Sequence, residues 1–217
     1  YLSLPDSASW VLNRRKNMIK NKLTIGVILL TMLVGMAFIP AVSAQTEDNY
    51  SVTADEAFEH ANTRIIALIV TENNSEKWEG TSIDPKPLEL YDISGKKLYY
   101  EFSVYNKNTL ISRIDIGANK TLGSTLRRIE INPKPYNVAE VMEKSIETAK
   151  AKYPTGKIVS TNMVVYDYPN VGAMTTVKDK TTGVEHRIFV DAYTLEEVQD
   201  KPATKTELGV WSMYEQV

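Results

Sequence analysis

The run KLYYEFSVY, Lys97 to Tyr105, constrains the fold more than any other stretch of the chain. Side chains of a strand point alternately to its two faces, so Leu98, Tyr100, Phe102 and Val104 share one side while Tyr99, Glu101, Ser103 and Tyr105 share the other. An apolar row backed by a mixed row is the pattern of a half-buried antiparallel strand, which needs strand neighbours and a covering layer. The neighbours are close by. Asp92-Ile-Ser-Gly95 has turn composition with a glycine for positive φ, and the polar Asn106-Lys-Asn108 turn leads into LISRIDI, Leu110 to Ile116. The connection GANKTLGS then reaches LRRIEI, which ends at Ile131.

The covering layers are expected on either side of this meander. Thr53 with Glu56 three residues later forms a capping box, and Ala54, Ala57, Phe58, Ala61, Ile65, Leu68 and Ile69 recur at helical spacing through about Val70. TENNSEKWEG, Thr71 to Gly80, ends that helix. Asn137 with Glu140 repeats the capping logic, and Val138, Val141, Met142, Ile146, Ala149 and Tyr153 make a second apolar stripe up to Pro154. Three β-rich runs follow, KIVSTNMVVYDY, VGAMTTVKD and HRIFVDA, separated by Pro169-Asn170 and Thr181-Thr-Gly183. The order reads helix-βββ twice. The expected fold class is therefore α+β, with two helix-plus-antiparallel-sheet (α-βββ) units over residues 45–136 and 137–200, in tandem or sharing one sheet. Residues 201–217 read as a linker and an apolar tail carrying Val210, Trp211, Met213 and Tyr214.

Residues 18–44 read as a secretory signal: Lys20 and Lys22 form a basic start, Leu23 to Phe38 an uncharged apolar run, and Val42-Ser43-Ala44 a small-residue cleavage site. Cleavage is expected after Ala44, which places the mature chain in the secreted fraction or at the cell surface. A membrane association is expected only through an uncleaved signal segment. Residues 1–17 lack an initiator methionine and apolar periodicity, and read as an upstream extension.

Removing residues 1–44 takes five Lys/Arg from 25 and one Asp from 27 acids, leaving 20 bases against 26 acids and a net charge near −6. Clustered positive charge is what tracks phosphates, so nucleic acid is not an expected partner. The chain has no cysteine, which excludes a disulfide framework, a thiolate metal site and a cysteine nucleophile. Three Asn-x-Ser/Thr sequons in the mature chain, at Asn49, Asn73 and Asn119, are candidate glycosylation sites of an exported protein.

Catalytic constellations do not assemble in the sequence. His186 and Asp191 of HRIFVDA fall on opposite faces of their strand, out of mutual hydrogen-bond reach. Asp191 reads as a turn acid, and His60 sits alone on the first helix. With two histidines and no cysteine, a zinc site is not expected, and Glu196, Glu197 and Asp200 lack the alternating oxygen spacing of a calcium loop. No G-x-S-x-G elbow occurs, and Gly117 to Gly123 lacks phosphate-loop spacing. No cofactor is expected.

HRIFVDAYTLEEV, preceded by an amphipathic helix and two strands, resembles the end of a PepSY-type module, and Leu98 to Gly123 resembles a hairpin in the propeptide-like regions of exported cysteine peptidases of the streptopain and bacteriocin-processing kinds, archaeal proteins included. The resemblance spans roughly Ser51 to Asp200. It implies PepSY- or cystatin-like units and a secreted, non-catalytic propeptide or inhibitor that restrains a cysteine peptidase, in cis in a longer homologue or in trans. The catalytic half of such peptidases has no counterpart here, so the chain is not expected to be an enzyme. Tyr99, Tyr105, Trp211, Met213 and Tyr214 are the expected partner contacts. The alternative expectation is a cell-surface binding or structural module of unknown ligand.

Overall fold

Helix α1, Ala54–Thr71, starts where its capping box demands: the Thr53 amide donates to Glu56 Oε2 at 3.0 Å and the Glu56 amide to Thr53 Oγ1 at 3.2 Å. These bonds, that from the Thr53 amide foremost, hold the Glu56 carboxyl below its ordinary range. The structure, a computed structural model, describes residues 50–71, 78–202 and 209–216. The signal segment, the upstream extension and the sequons at Asn49 and Asn73 lie outside the described residues.

Nine strands follow from the remaining chain: β1 Thr81–Ile83, β2 Leu88–Asp92, β3 Lys97–Asn106, β4 Thr109–Gly117, β5 Leu126–Ile131, β6 Lys157–Asp167, β7 Asn170–Lys178, β8 Glu185–Asp191 and β9 Glu197–Val198. The second helix, α2, spans Val138–Lys152 between β5 and β6. Asn137 caps it by accepting from the Ala139 amide at 3.1 Å and the Glu140 amide at 3.4 Å. All nine strands form one mixed sheet in the order β5-β4-β3-β2-β6-β7-β8-β9, with β1 on β3.

This corrects the expected fold class. The described chain is mostly β, one mixed nine-stranded sheet with only two helices, and it is not a pair of α-βββ units. The reason lies in LELYD, Leu88–Asp92, whose strand pairs on both edges: antiparallel with β3, and parallel with β6 through Tyr91↔Val164 and Asp92↔Val165. A strand used on both sides leaves no sheet edge between the two sequence blocks, and pairing such edges removes their unsatisfied amides and carbonyls. Glu47–Val217 accordingly forms one compact unit.

The register also assigns the helices to faces. Ala57, Ala61, Ile65 and Leu68 of α1 pack on Tyr100, Phe102, Val104, Ile114 and Ile116, with the Phe58 and Phe102 rings 5.8 Å apart. Leu90 pairs with Tyr99 and lies on the Met163 side of the sheet, where Val141 of α2 packs with Ala173. The two helices thus cover opposite faces, α1 over β3 and β4, α2 over β6 to β8. A bulge in the β2–β3 ladder at Leu90/Tyr91 changes one expected position. Leu98 leaves the row of Tyr100 and Phe102 and joins Tyr99 in the α2-side core, since both residues of a bulge turn to one side.

The tail docks on the sheet. The Trp211 amide donates to the Tyr166 carbonyl at 2.9 Å, and Val210 joins Val164, Tyr166, Met174 and Phe189 in a core cluster.

Candidate functional site

On the α2-side face, beyond the reach of α2, β3 to β5 carry charge where their other face carries hydrocarbon. Cross-strand pairs align Glu101 with Asp115, Asp115 with Arg128, and Arg113 with Glu130. Arg128 Nε lies 2.8 Å from Asp115 Oδ2, and its Nη2 reaches Glu101 at 3.4 Å. Arg113 Nε lies 3.4 Å from Glu101 Oε1, and the Tyr136 hydroxyl donates to the same oxygen at 2.8 Å. Tyr136, from the segment leading into α2, lays its ring 4.3 Å from the Arg113 guanidinium and meets Tyr193 edge-on at 5.4 Å. The two tyrosines therefore roof the network.

Two carboxylates, Glu101 and Asp115, meet two guanidiniums under the roof, and a third, Glu130, lies at the margin, 29% exposed and 3.5 Å from Arg128 Nη1. Asp115 is 2% exposed and its Oδ1 has no hydrogen-bond partner among the described residues. Burial, only partly offset by Arg128, pushes the Asp115 carboxyl up to about 7. Burial likewise raises Glu101 against the pull of Arg113, Tyr136 and Arg128. Burial works to lower Arg128, yet the neighbouring carboxylates, Asp115 foremost, outweigh it and raise that group. An ion pair alone would have lowered Asp115; that it rises shows desolvation dominating.

Arg128 and Glu130 belong to β5, the terminal strand of the sheet. The Asn132 amide donates to Ile111 O at 2.9 Å, which continues a ladder in which Glu130 and Arg128 bond inward to β4. By the same alternation Ile129 and Ile131 direct their amides and carbonyls outward, where no strand among the described residues pairs with them. Ile131 is 51% exposed. The network packs β5 from one face and Leu126 and Ile129 pack it against the α1-side core from the other, so the edge is supported on both sides.

The residues expected to contact a partner do not gather at this edge. Tyr99 is fully buried in the core with Leu90, Leu98 and Val141 and offers no contact area, a correction that follows from the packing on that face of the sheet. Tyr105 is half-buried on β3 opposite Leu110. Trp211, Met213 and Tyr214 dock on their own domain. The Trp211 indole donates to Asp167, the Met213 amide donates to Asp92 Oδ1 at 2.7 Å, and the Tyr214 hydroxyl donates to Lys97 O at 2.8 Å. Asn119 is half-buried and its side-chain oxygen accepts from the Thr121 amide at 2.9 Å, capping a short turn.

The two histidines stay apart from each other's elements: His60 is exposed on α1, and His186 of β8 stacks on Tyr153 at 4.4 Å. Asp191 caps its turn, accepting from the Tyr193 and Thr194 amides at 2.9 and 2.8 Å and from the Tyr166 hydroxyl at 2.7 Å. Burial acts to raise its carboxyl, but these donors hold it below the ordinary range. Glu197 pairs with Lys152, and Asp200 with Arg187. Among the described residues no group of three or more His, Asp or Glu is arranged to hold a metal.

Sequence reasoning missed the network. Its signal was present: Glu101, then Arg113 and Asp115, then Arg128 and Glu130, interrupt three successive apolar strands on every second residue. Comparison with known protein families, characterised proteins and solved structures returns no match.

Proposed function

We propose that this chain is a non-catalytic, exported binding module that restrains a cysteine peptidase by pairing an extended segment of the enzyme along the free edge of β5. The observation that carries this reading is the outward row of backbone groups at Ile129 and Ile131 on a strand packed on both faces. An edge of this kind recognises an extended peptide through main-chain hydrogen bonds, with side-chain contacts adding specificity. The nature of the occupant rests on the propeptide-like resemblance of Leu98 to Gly123.

The test is inhibition of a papain-type cysteine peptidase purified from the same secreted fraction, assayed with a fluorogenic peptide against rising amounts of the full chain. Activity that falls to a stoichiometric end point supports the reading. Ile131→Pro removes an outward amide while leaving the inward ladder intact, a change that edge strands tolerate, so this variant is expected to fold and to lose inhibition. Undiminished peptidase activity at several-fold molar excess overturns the proposal. A second reading, a surface module for a small ligand, is favoured by a groove on the opposite face.

A further inference from the structure

Among the described residues no helix lies on the α1-side face of β6 to β8. Val210 packs on the part around Val164 and Phe189, with Val198 beside Phe189 on β9, and the rest is an open groove of about 490 Å³ toward the start of β6. The register makes its floor a two-row array, with Ser160, Thr176 and Arg187 side by side in one row and Asn162 beside Met174 in the next. The turn Ile93 to Gly95 forms one wall, tied down by Arg187 Nη1 donating to Ile93 O at 3.4 Å. Asp200 grips Arg187 through Nε at 3.0 Å and Nη2 at 2.7 Å, while the stacked Tyr153 and His186 rings lie with Val177 and Ile188 on the α2 side of the strands.

The two faces of these strands treat their polar residues differently. On the α2 side Thr161 and Thr175 are 3.0 Å apart and Thr175 and Ser145 are 2.8 Å apart, so those hydroxyls satisfy one another. On the groove side the hydroxyls of Ser160 and Thr176 and the amide of Asn162 bond to no protein group among the described residues. An amide with two donors and an acceptor, flanked by two hydroxyls, is thus aimed into a half-enclosed space with its capacity uncommitted.

We propose that this groove is a binding site for a neutral saccharide. Pockets of this size bind through a few placed polar groups that fix orientation. Charge excludes an anionic ligand: Arg187 is matched by Asp200, and the remaining charged group in the lining is Glu185. The hydroxyl and amide floor excludes a purely apolar one. A peptide backbone offers its hydrogen bonds along a line, which suits a strand edge, whereas here the uncommitted groups spread in two dimensions, about 4.8 Å apart across strands and about 6.7 Å along them. A sugar ring carries hydroxyls around its whole circumference, which matches that spread. This site is separate from the β5 edge and stands independently of the peptidase reading.

The experiment is a titration of the ¹⁵N-labelled full chain with cellobiose, maltose, lactose and N,N′-diacetylchitobiose, followed by amide and Asn side-chain shifts, with a blocked neutral tripeptide as control. At least one disaccharide is expected to give saturable shifts confined to the groove and centred on the Asn162 amide. Asn162→Ala and Thr176→Val, which change half-buried side chains without bonding partners, should retain the spectrum of a folded chain and each weaken that binding about tenfold or more. The Ile131→Pro variant should bind the sugar unchanged, so failure here and failure at the peptidase edge are told apart. No saturable shift with any of the four sugars, binding of the tripeptide alone, or binding that survives Asn162→Ala with Thr176→Val overturns the proposal.

Discussion

Arg128 and Asp115 sit directly across from each other on β5 and β4, 2.8 Å from Nε to Oδ2, inside a network where acids outnumber bases. Removing Arg128 leaves Asp115 and Glu101 with less compensation under the tyrosine roof. Arg128→Met is expected to cost about 3–5 kcal/mol, the range for breaking a buried pair on one side. Adding Asp115→Asn to it should restore a large part of that loss. Urea unfolding of the two variants checks both expectations, and a double variant no more stable than Arg128→Met would show that the Asp115 carboxyl is not what the arginine offsets.

The same network fixes a sign for pH dependence. The Asp115 carboxyl is raised from 3.8 to about 7, so the folded protein binds that proton more tightly than the unfolded chain does. Its contribution to stability is complete below the unfolded value and is lost as pH rises through about 7. Glu101 acts in the same sense, while Asp191, held low, contributes stability that is lost on acidification. The wild type should therefore lose more stability than Asp115→Asn between about pH 5 and 8. Thermal unfolding of the pair across that window reads the difference directly. Equal slopes would mean that Asp115 is ionised throughout.

Asp92 ties the tail to the sheet. Its buried carboxylate accepts from the Ser94 amide at 2.8 Å, from Ser212 Oγ at 2.8 Å and from the Met213 amide at 2.7 Å. Asp92→Ala strands these donors and is expected to cost about 3 kcal/mol, in line with hydrogen bonds to a charged acceptor. Limited proteolysis should then cut within residues 209–216 well before the sheet, and unchanged cleavage would place the tail's anchor elsewhere, in Trp211 or Tyr214.

Gly172 is required by close approach. A Cβ built there would meet the Val190 carbonyl oxygen at 2.3 Å and the Tyr166 ring at 3.1 Å, and a backbone carbonyl in a ladder cannot step aside as a side chain can. Gly172→Ala is expected to destabilise by about 1–3 kcal/mol. Hydrogen exchange should show the loss first in β7 and β8, the strands joined at that point.

Much of the local structure was legible. The capping box at Thr53 and Glu56, the cap at Asn137, the helical stripes and the strand runs each follow from contacts within a few residues, and the structure keeps them. The row of Tyr100, Phe102 and Val104 was legible as well, because strand alternation needs no knowledge of the partner. Leu98 was misplaced because a bulge depends on the ladder with β2, which periodicity does not report. Of the candidate site, the charges of Glu101, Arg113, Asp115, Arg128 and Glu130 stood in the sequence, but not that they would meet or that β5 would end the sheet.

The sequence by itself determined where helices start, where strands turn, and which side chains share a face. Those properties depend on short-range sterics, caps and alternation. The tertiary structure alone decided that β2 would pair in parallel with β6, that Glu101, Arg113, Asp115 and Arg128 would meet in one buried network, and that Ser160, Asn162 and Thr176 would line one open groove. Each of these brings together residues distant in the chain. A strand's pattern says which face it buries, while its two edges carry the same backbone groups everywhere, so the choice of neighbour emerges only when the whole sheet packs.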